Sequence, residues 1–113
     1  MQTVIYETLL LRQRKAMHGL VGRAIEALYA DRLEEHYEAL AHHYGQSDDE
    51  GKAIRYLELA GDKAAAIFSL REARKSYRVA IDLVDGQLPS QEVKRARIAL
   101  SLKWAEVSHY AAT

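Results

Sequence analysis

Hydrophobic residues recur at helical spacing along nearly the whole chain, which indicates an all-α protein. Apolar residues repeat at i, i+3, i+4 and i+7 and form one face of a predicted first helix over residues 3–30. That face comprises Met17, Leu20, Val21, Ala24, Ile25 and Leu28. The apolar residues of 4–11 instead point almost all round the helix, so we expect covering structure that lies outside this chain.

Three capping boxes divide the following stretch, each with Ser or Asp three residues before Glu. The pairs are Asp31 and Glu34, Ser47 and Glu50, and Ser69 and Glu72. They predict helices over about 32–46, 49–68 and 70–85, with Gly45 as the C-cap of the first. Ser90, just after Pro89, caps a final helix over about 91–111.

The length of the third helix has two interpretations. An apolar stripe that includes Ala60, Ala64, Ile67 and Phe68 continues straight past Gly61, which favours one unbroken helix with Gly61 as a small packing residue. Alternatively, the helix breaks at Gly61 and Asp62 caps a new one.

One short pattern occurs twice in the stretch 47–85, with small residues one helical turn from large ones. The first copy is Ala53, Tyr56, Leu57 and Ala60, and the second is Ala73, Ser76, Tyr77 and Ala80. Small residues let two helices approach closely while a large side chain fills the groove between them. The fourth helix then buries Leu70, Ala73, Tyr77, Ala80, Ile81 and Val84. Stacked, antiparallel helical hairpins are therefore predicted.

The final helix has two apolar faces. One comprises Val93, Ala96, Leu100, Trp104, Val107 and Ala111, and the other, nearly opposite, comprises Ile98, Leu102 and Ala105. The first face can pack against the fourth helix. The second has no partner left in the chain, so we expect it to contact a missing repeat or another copy.

Composition narrows the class of protein without naming a ligand. The chain of 113 residues is 49% apolar and 28% charged, as in a soluble globular domain, and its 16 basic residues balance 16 acidic ones. The chain therefore has no excess of positive charge that would favour binding to nucleic acid or to a membrane. Cysteine is absent, which excludes disulfides and thiolate chemistry, and no apolar run is long enough for a membrane span or signal peptide. A cytoplasmic protein is expected.

Candidate chemistry is sparse. Adjacent helical side chains diverge by about 100°, so His42 and His43 are not expected to share a metal ion, although Glu38 and His42 could hold one weakly on the outer face. The acidic run at 48–50 is explained by the favourable interaction of negative side chains with the positive N-terminal end of the third helix. We expect no catalytic, cofactor-binding or metal-ligating residue in this chain.

Two groups of residues are candidates for binding a partner. Tyr37, Tyr44 and Tyr56 either pack in the core or direct their hydroxyl groups into a concave groove that contacts a peptide. The second group is a basic helix face formed by Arg71, Arg74, Lys75 and Arg78. Such a face is either simply solvated or meets an acidic protein surface or nucleic-acid phosphates.

The second to fifth helices resemble tetratricopeptide repeats. Leu40, Ala41 and Tyr44 match the pattern of helix A in that family, and Ala53, Tyr56 and Ala60 match that of helix B. The resemblance implies a short right-handed superhelix over 31–113, of about two and a half units. The next alanine, Ala73, follows Ala53 after 20 residues rather than about 34, so the helix at 49–68 would serve two units.

The closer resemblance is to the helical region that follows the ATPase module in bacterial signalling proteins, including class III adenylate or guanylate cyclases and LuxR-type regulators. It rests on three segments, Ile5–Leu10 with Arg14 and His18, Leu40–Tyr44, and Lys52–Leu57 with Ala60–Ala64. It implies that residues 1–30 join an upstream domain and that nucleotide chemistry resides outside this chain.

These expectations define three functional hypotheses. The first is a non-catalytic interaction or sensor module that binds a protein, a peptide or neighbouring domains of a parent ATPase or cyclase. The second is a self-associating unit that forms a homo-oligomer through its first and last helices. The third, a nucleic-acid-binding regulator that uses the basic faces, is the least favoured because the net charge is balanced.

Overall fold

The fold is all-α, as the periodicity predicts. The structure, a computed structural model, describes residues 2–111, with side chains over 3–110, and contains no strand within that range. The helices are α1 (Gln2–Leu28), α2 (Tyr37–Gly45), α3 (Glu50–Ala66), α4 (Leu70–Asp85) and α5 (Gln91–Ala111). A short 3₁₀ helix, Leu33–His36, precedes α2.

Each helix packs against the next one in sequence, as in a stack of helical hairpins. One core cluster joins α2 to α3 and consists of Leu40, Ala41, Tyr44, Ala53 and Tyr56. The other joins α4 to α5 and consists of Ala73, Tyr77, Ala80, Ile81, Val84, Leu100 and Val107. Side chains of α3, including Leu57 and Ala64, pack against the second cluster as well. Helix α3 is therefore the central element of the stack.

The small residues are buried where the duplicated pattern places them. Ala53, Ala73 and Ala80 are fully buried, and Ala60 nearly so. Helix α3 is unbroken over Glu50–Ala66, which confirms the continuous interpretation. Gly61 acts as a small packing residue within it and faces the ring of Tyr77. A Cβ atom at Gly61 would lie 2.5 Å from Cε1 of that ring, so only glycine allows this approach.

The predicted capping box at Asp31 and Glu34 is wrong. The 3₁₀ helix begins after Arg32, no side chain caps it, and the α-helix starts only at Tyr37. Three backbone hydrogen bonds tighten this connection, among them that from the Arg32 amide to the Tyr29 carbonyl. A tight turn thus takes the place of the predicted helix start.

The connection between α2 and α3 also differs from the prediction. The N-cap of α3 is Asp49, whose carboxylate accepts a hydrogen bond from the Lys52 amide at 3.1 Å. The hydroxyl oxygen of Ser47 instead accepts a hydrogen bond from the Asp49 amide in the turn that precedes the helix. Gly45 remains inside α2, and Gln46, with φ of −93°, is the C-cap. The carboxylate of Asp49 competes successfully with the hydroxyl group of Ser47 as the capping acceptor.

The last two helix starts lie at their predicted positions. Ser69 precedes α4, although its side chain makes no capping hydrogen bond. Ser90 precedes α5, and its hydroxyl oxygen accepts from the Val93 amide at 3.1 Å, as predicted.

The end of α3 corrects the prediction for two large apolar residues. Ile67 and Phe68 lie beyond the helix and are 72% and 84% exposed, not buried. The amides of Phe68 and Ser69 bond back to the carbonyls of Ala65 and Ala64, which is the Schellman pattern. Phe68 takes the left-handed position with φ of 60°, where glycine is usual. The turn directs both side chains away from the core.

The predicted apolar face of α1 is only partly buried. Val21 is half-buried and Ile25 packs against the core cluster of α2 and α3, but the other large residues of that face are exposed. Met17, Leu20 and Leu28 are 63%, 59% and 74% exposed. Helix α1 instead presents Gly19 and Gly22 to its neighbour, and a Cβ atom at Gly22 would lie 2.7 Å from the Tyr44 ring. The close approach of the Tyr44 ring to Gly22 thus accompanies a rotation of α1 that leaves much of the apolar stripe exposed.

The two apolar faces of α5 are confirmed. Leu100 and Val107 are buried against α4, whereas Ile98 and Leu102 are 61% and 67% exposed. The predicted position Ala111 lies at the edge of the described residues, and its side chain is not among them. No helix within residues 2–111 is both long and apolar enough to cross a bilayer.

Candidate functional site

A groove runs between α2 and α4, with α3 as its floor, and encloses about 440 Å³. It forms because small side chains on α2 and α3 leave space between the larger residues of the walls. Its apolar lining comprises Ala41 from α2, Leu57, Ala60 and Ala64 from α3, and Val79 and Leu83 from α4. An open groove with such a lining can receive apolar side chains of a peptide segment.

Polar side chains line the rim of the groove. Glu38 and His42 stand on the α2 side, and Glu72, Lys75 and Ser76 stand on the α4 side. Of the four basic residues predicted to bind a partner, Lys75 alone is part of this lining among the residues described. The rim thus carries two carboxylates against one ammonium group.

The other predicted basic residues of α4 are exposed and face elsewhere. Arg78 forms an ion pair with Asp82 on its own helix at 3.5 Å. The guanidinium group of Arg74 lies 5.6 Å from the centre of the Trp104 ring on α5. Arg71 is exposed near the start of the helix. The four side chains therefore do not act on one common surface.

The predicted tyrosines lie mainly inside the protein. Tyr44 is fully buried and Tyr56 nearly so, and their rings stack with centres 5.8 Å apart. Both hydroxyl groups donate hydrogen bonds to the carboxylate of Glu26 on α1. Tyr37 is half-buried with its ring centre 6.1 Å from that of Tyr56. The packing alternative therefore describes Tyr44 and Tyr56, whose hydroxyl groups face α1 rather than the groove.

We call Gly22, Glu26, Tyr44, Lys52 and Tyr56 the Tyr44 cluster. Lys52 Nζ lies 2.9 Å from Glu26 Oε1, which completes the set of donors around that carboxylate. Burial acts to raise the pKa of Glu26, but the hydrogen bonds from both tyrosines and from Lys52 outweigh it and lower that pKa. Burial and the hydrogen bond to Glu26 raise the pKa of Tyr56 to about 12. The carboxylate is thus held ionised and the phenols neutral.

A second set, Glu58, Gly61, Asp62, Tyr77 and Lys103, repeats this arrangement and is called the Tyr77 cluster. The Tyr77 hydroxyl group donates to Asp62, and Lys103 Nζ lies 3.0 Å from the same carboxylate and 2.9 Å from Glu58. Burial and the bond to Asp62 raise the pKa of Tyr77 above its usual range. No sequence pattern indicates the roles of Glu26 and Lys103, since each bonds to helices that are distant in sequence.

Three histidines meet where α1 crosses the end of α2. His18 from α1 places its Nδ1 atom 3.0 Å from Nδ1 of His43, and His42 completes the group. Burial, followed by the nearby His42 and His18, lowers the pKa of His43. Adjacent helical side chains diverge, so His42 and His43 alone do not predict this group. The group depends on His18 from a different helix, and the one sequence signal for it is the presence of a histidine on α1.

Comparison of the chain with models of known protein families, with curated proteins and with solved structures finds no match.

Proposed function

We propose that this chain is a non-catalytic interaction module whose groove between α2 and α4 binds an amphipathic segment of a partner protein. The observation that carries the proposal is the groove itself, with an apolar lining, a polar rim and a volume of about 440 Å³. Grooves between stacked helices commonly receive one apolar face of a peptide.

The floor favours apolar side chains of the partner. Ala60 and Ala64 expose little side chain of their own, so a leucine or phenylalanine of the bound segment fills the space above them. Val79, which is 41% exposed, gains burial when the groove is occupied. Burying apolar surface contributes about 25 cal/mol per Å² before the cost of ordering the peptide.

The rim favours a basic residue on the bound segment. Glu38 and Glu72 line opposite sides of the groove, and Lys75 is the one ammonium group among the lining residues described. A lysine or arginine of the peptide would compensate the excess of negative charge. The proposed ligand is therefore a short amphipathic segment with an apolar face and at least one basic side chain.

Selection from a displayed peptide library tests this function directly. We expect the folded chain to enrich peptides that have apolar anchors at helical spacing and a basic residue. Their affinity, measured by fluorescence anisotropy, should fall strongly in Val79→Asp, because this change places a charge in the apolar part of the groove.

The matched control is Val4→Asp, which makes the same change at a residue of α1 that is 65% exposed and outside the groove lining. This variant should bind the selected peptides as the natural chain does. Enrichment of no peptide, or equal loss of affinity in both variants, would contradict a role for the groove.

The wider setting of the proposal comes from the resemblance of the chain to tetratricopeptide-like regions of bacterial signalling proteins. In that setting the parent protein is an ATPase or an adenylate or guanylate cyclase, and this chain senses or scaffolds without catalysis. Its buried Ala and Tyr positions support a repeat-like stack. The expected result of cyclase and ATPase assays on these 113 residues is no turnover.

Self-association is a second candidate function, favoured by the exposed apolar side chains of the first and last helices. The exposed set on α1 is Val4, Ile5, Tyr6, Leu9, Leu10 and Leu11, with exposures from 43% to 65%. Ile98 and Leu102 add a second exposed strip on α5. Exposed apolar patches of this kind commonly mark sites of protein association.

Sedimentation velocity over a wide concentration range tests self-association. A second copy that covers α1 should give a sedimentation coefficient that rises with concentration, and Leu9→Glu should abolish the rise. A strict monomer at all concentrations argues against this candidate and leaves the groove as the interaction site.

A further inference from the structure

The three histidines at the crossing of α1 and α2 form a compact group of nitrogen donors. One ring nitrogen from each of His18, His42 and His43 lies within 4.8 Å of the others. The ring centres of His18 and His43 are 5.2 Å apart, and that of His42 is 5.2 Å from His43 and 5.8 Å from His18. The donors come from two helices, so their meeting is a product of the fold rather than of local sequence.

The spacing of the nitrogens suits a transition-metal ion. In a tetrahedral site with Zn–N bonds of about 2.0–2.1 Å, two nitrogen ligands lie about 3.4 Å apart. The Nδ1 atoms of His18 and His43 are 3.0 Å apart and need only a small separation to reach that value. His42 is exposed, so its ring can rotate towards the other two without disturbing the core.

We propose that His18, His42 and His43 bind a divalent transition-metal ion, with Zn²⁺ or Cu²⁺ as the preferred ions. Three neutral imidazoles are a donor set that these ions favour. His18 and His43 are half-buried, which limits competition from water on one side of the ion. The exposed side next to His42 leaves a fourth position for water or for a donor from a bound partner.

The ion would link α1 to α2. The Tyr44 cluster and Ile25 already attach α1 to the stack, but Gly19 and Gly22 are its only buried residues among those with described exposure. An ion that binds only the folded arrangement stabilises that arrangement, here the contact of α1 with α2 that brings His18 to His42 and His43. Occupation of the site therefore fixes α1 against the rest of the stack. His42 also lines the groove, so the ion would lie next to the proposed peptide site.

Titration of the purified, metal-free chain with Zn²⁺ by calorimetry tests the site. We expect one ion per chain, and a loss of affinity of at least about 10-fold in each of His18→Ala, His42→Ala and His43→Ala, since even the loss of an outer partner of a metal ligand costs that much. His109→Ala, a change to a histidine on α5, is the matched control and should bind as the natural chain does. Far-UV circular dichroism establishes that each variant retains its helices.

Two further measurements separate the proposed site from surface binding. The visible absorption of bound Co²⁺ should be lost in His18→Ala, and Zn²⁺ should slow amide hydrogen exchange in α1 around His18. Binding that survives His18→Ala would overturn the proposal, because His42 and its neighbours on α2 would then suffice. An ion held between two copies, detected by sedimentation, or no binding at all by the natural chain would overturn it equally.

Discussion

The Tyr44 and Tyr77 clusters use one arrangement in two different settings. In each, a tyrosine ring lies against a glycine of a neighbouring helix, and its hydroxyl group bonds a carboxylate that also meets a lysine. Tyr77 is part of the apolar core between α4 and α5. The Tyr44 cluster is instead the main attachment of α1, whose large apolar side chains are mostly exposed.

This difference indicates that the two clusters stabilise different parts of the molecule. Around Tyr77, many apolar contacts reinforce the hydrogen bonds, so loss of the cluster weakens the stack as a whole. Around Glu26, hydrogen bonds to one carboxylate join α1 to the stack, and Ile25 is the α1 side chain that packs against the α2–α3 core cluster, so we expect loss of the cluster to release α1 first. Local opening of an element with few buried apolar contacts is the general expectation.

Removing each tyrosine ring should have the largest effect and should show this difference most clearly. Tyr77→Ala is expected to lower the free energy of unfolding by about 3–5 kcal/mol, as for other large aromatic side chains removed from a core. Tyr44→Ala should release α1 preferentially. Amide hydrogen exchange, followed by mass spectrometry, should show loss of protection throughout for Tyr77→Ala but mainly in α1 for Tyr44→Ala.

The exposed Tyr6 provides the control for removal of an aromatic ring, because it is 64% exposed on α1. Tyr6→Ala should change the free energy of unfolding by no more than about 0.5 kcal/mol. If α4 and α5 lose as much protection in Tyr44→Ala as in Tyr77→Ala, the chain unfolds as one unit and the two clusters are equivalent.

Adding a methyl group to a glycine of α3 should have the next largest effect. Alanine at Gly61 gains up to about 1 kcal/mol of helix propensity, but its Cβ atom must displace the Tyr77 ring, at a cost of about 1–3 kcal/mol. Gly51, on the same helix, has only Asp49 Oδ1 nearby, at 3.7 Å. Urea denaturation should therefore place Gly61→Ala below the natural chain in stability and Gly51→Ala level with it or above.

The converse order of stability would show that the ring of Tyr77 moves easily and that Gly61 is not required for the close approach of α3 and α4. Both variants exchange glycine for alanine within one helix, so differences in composition and net charge do not enter the comparison.

The sequence predicts the fold best where large and small residues alternate at helical spacing. The buried positions Ala53, Ala73, Tyr77 and Ala80 follow from periodicity alone, because each helix in that region has one strongly apolar face. The rotation of α1 does not follow, because only part of its most apolar stripe, including Ile25, packs against the core, and Met17, Leu20 and Leu28 are exposed. The contact that accompanies this rotation, Gly22 against Tyr44, consists of a residue without a side chain and a partner 22 positions away.

Two other errors of prediction, at the start and at the end of α3, have local causes. Ser47 and Asp49 are both good capping residues, and sequence spacing does not decide between their oxygens, whereas the structure selects Asp49. At Phe68, the left-handed backbone conformation ends α3 without the glycine that usually signals such a turn. The groove follows indirectly from the predicted alanines, but the meeting of His18 with His43 depends on the orientation of α1.

The pH dependence of stability should give the smallest effect, and it tests directly whether the charge of Glu26 stabilises the Tyr44 cluster. The pKa of Glu26 is lower in the folded chain than its ordinary value of 4.5. Its ionised form therefore stabilises the fold above the unfolded-state pKa, and this contribution is lost as the pH falls through the folded-state pKa. Glu26→Gln lacks the charge at every pH, so the natural chain should be the more stable by about 1–3 kcal/mol at neutral pH.

That difference should shrink as the pH falls below 4.5, because a protonated Glu26 resembles glutamine in charge and shape. Thermal unfolding of both proteins at a series of pH values measures it. Glu7→Gln removes a carboxylate from an exposed position of the same helix and controls for the change in net charge. A difference between the natural chain and Glu26→Gln that stays constant into acid would mean that the carboxylate acts through its shape and not its charge. The attachment of α1 would then rest on the fit of Gly22 to the Tyr44 ring, as that of α4 rests on the fit of Gly61 to Tyr77.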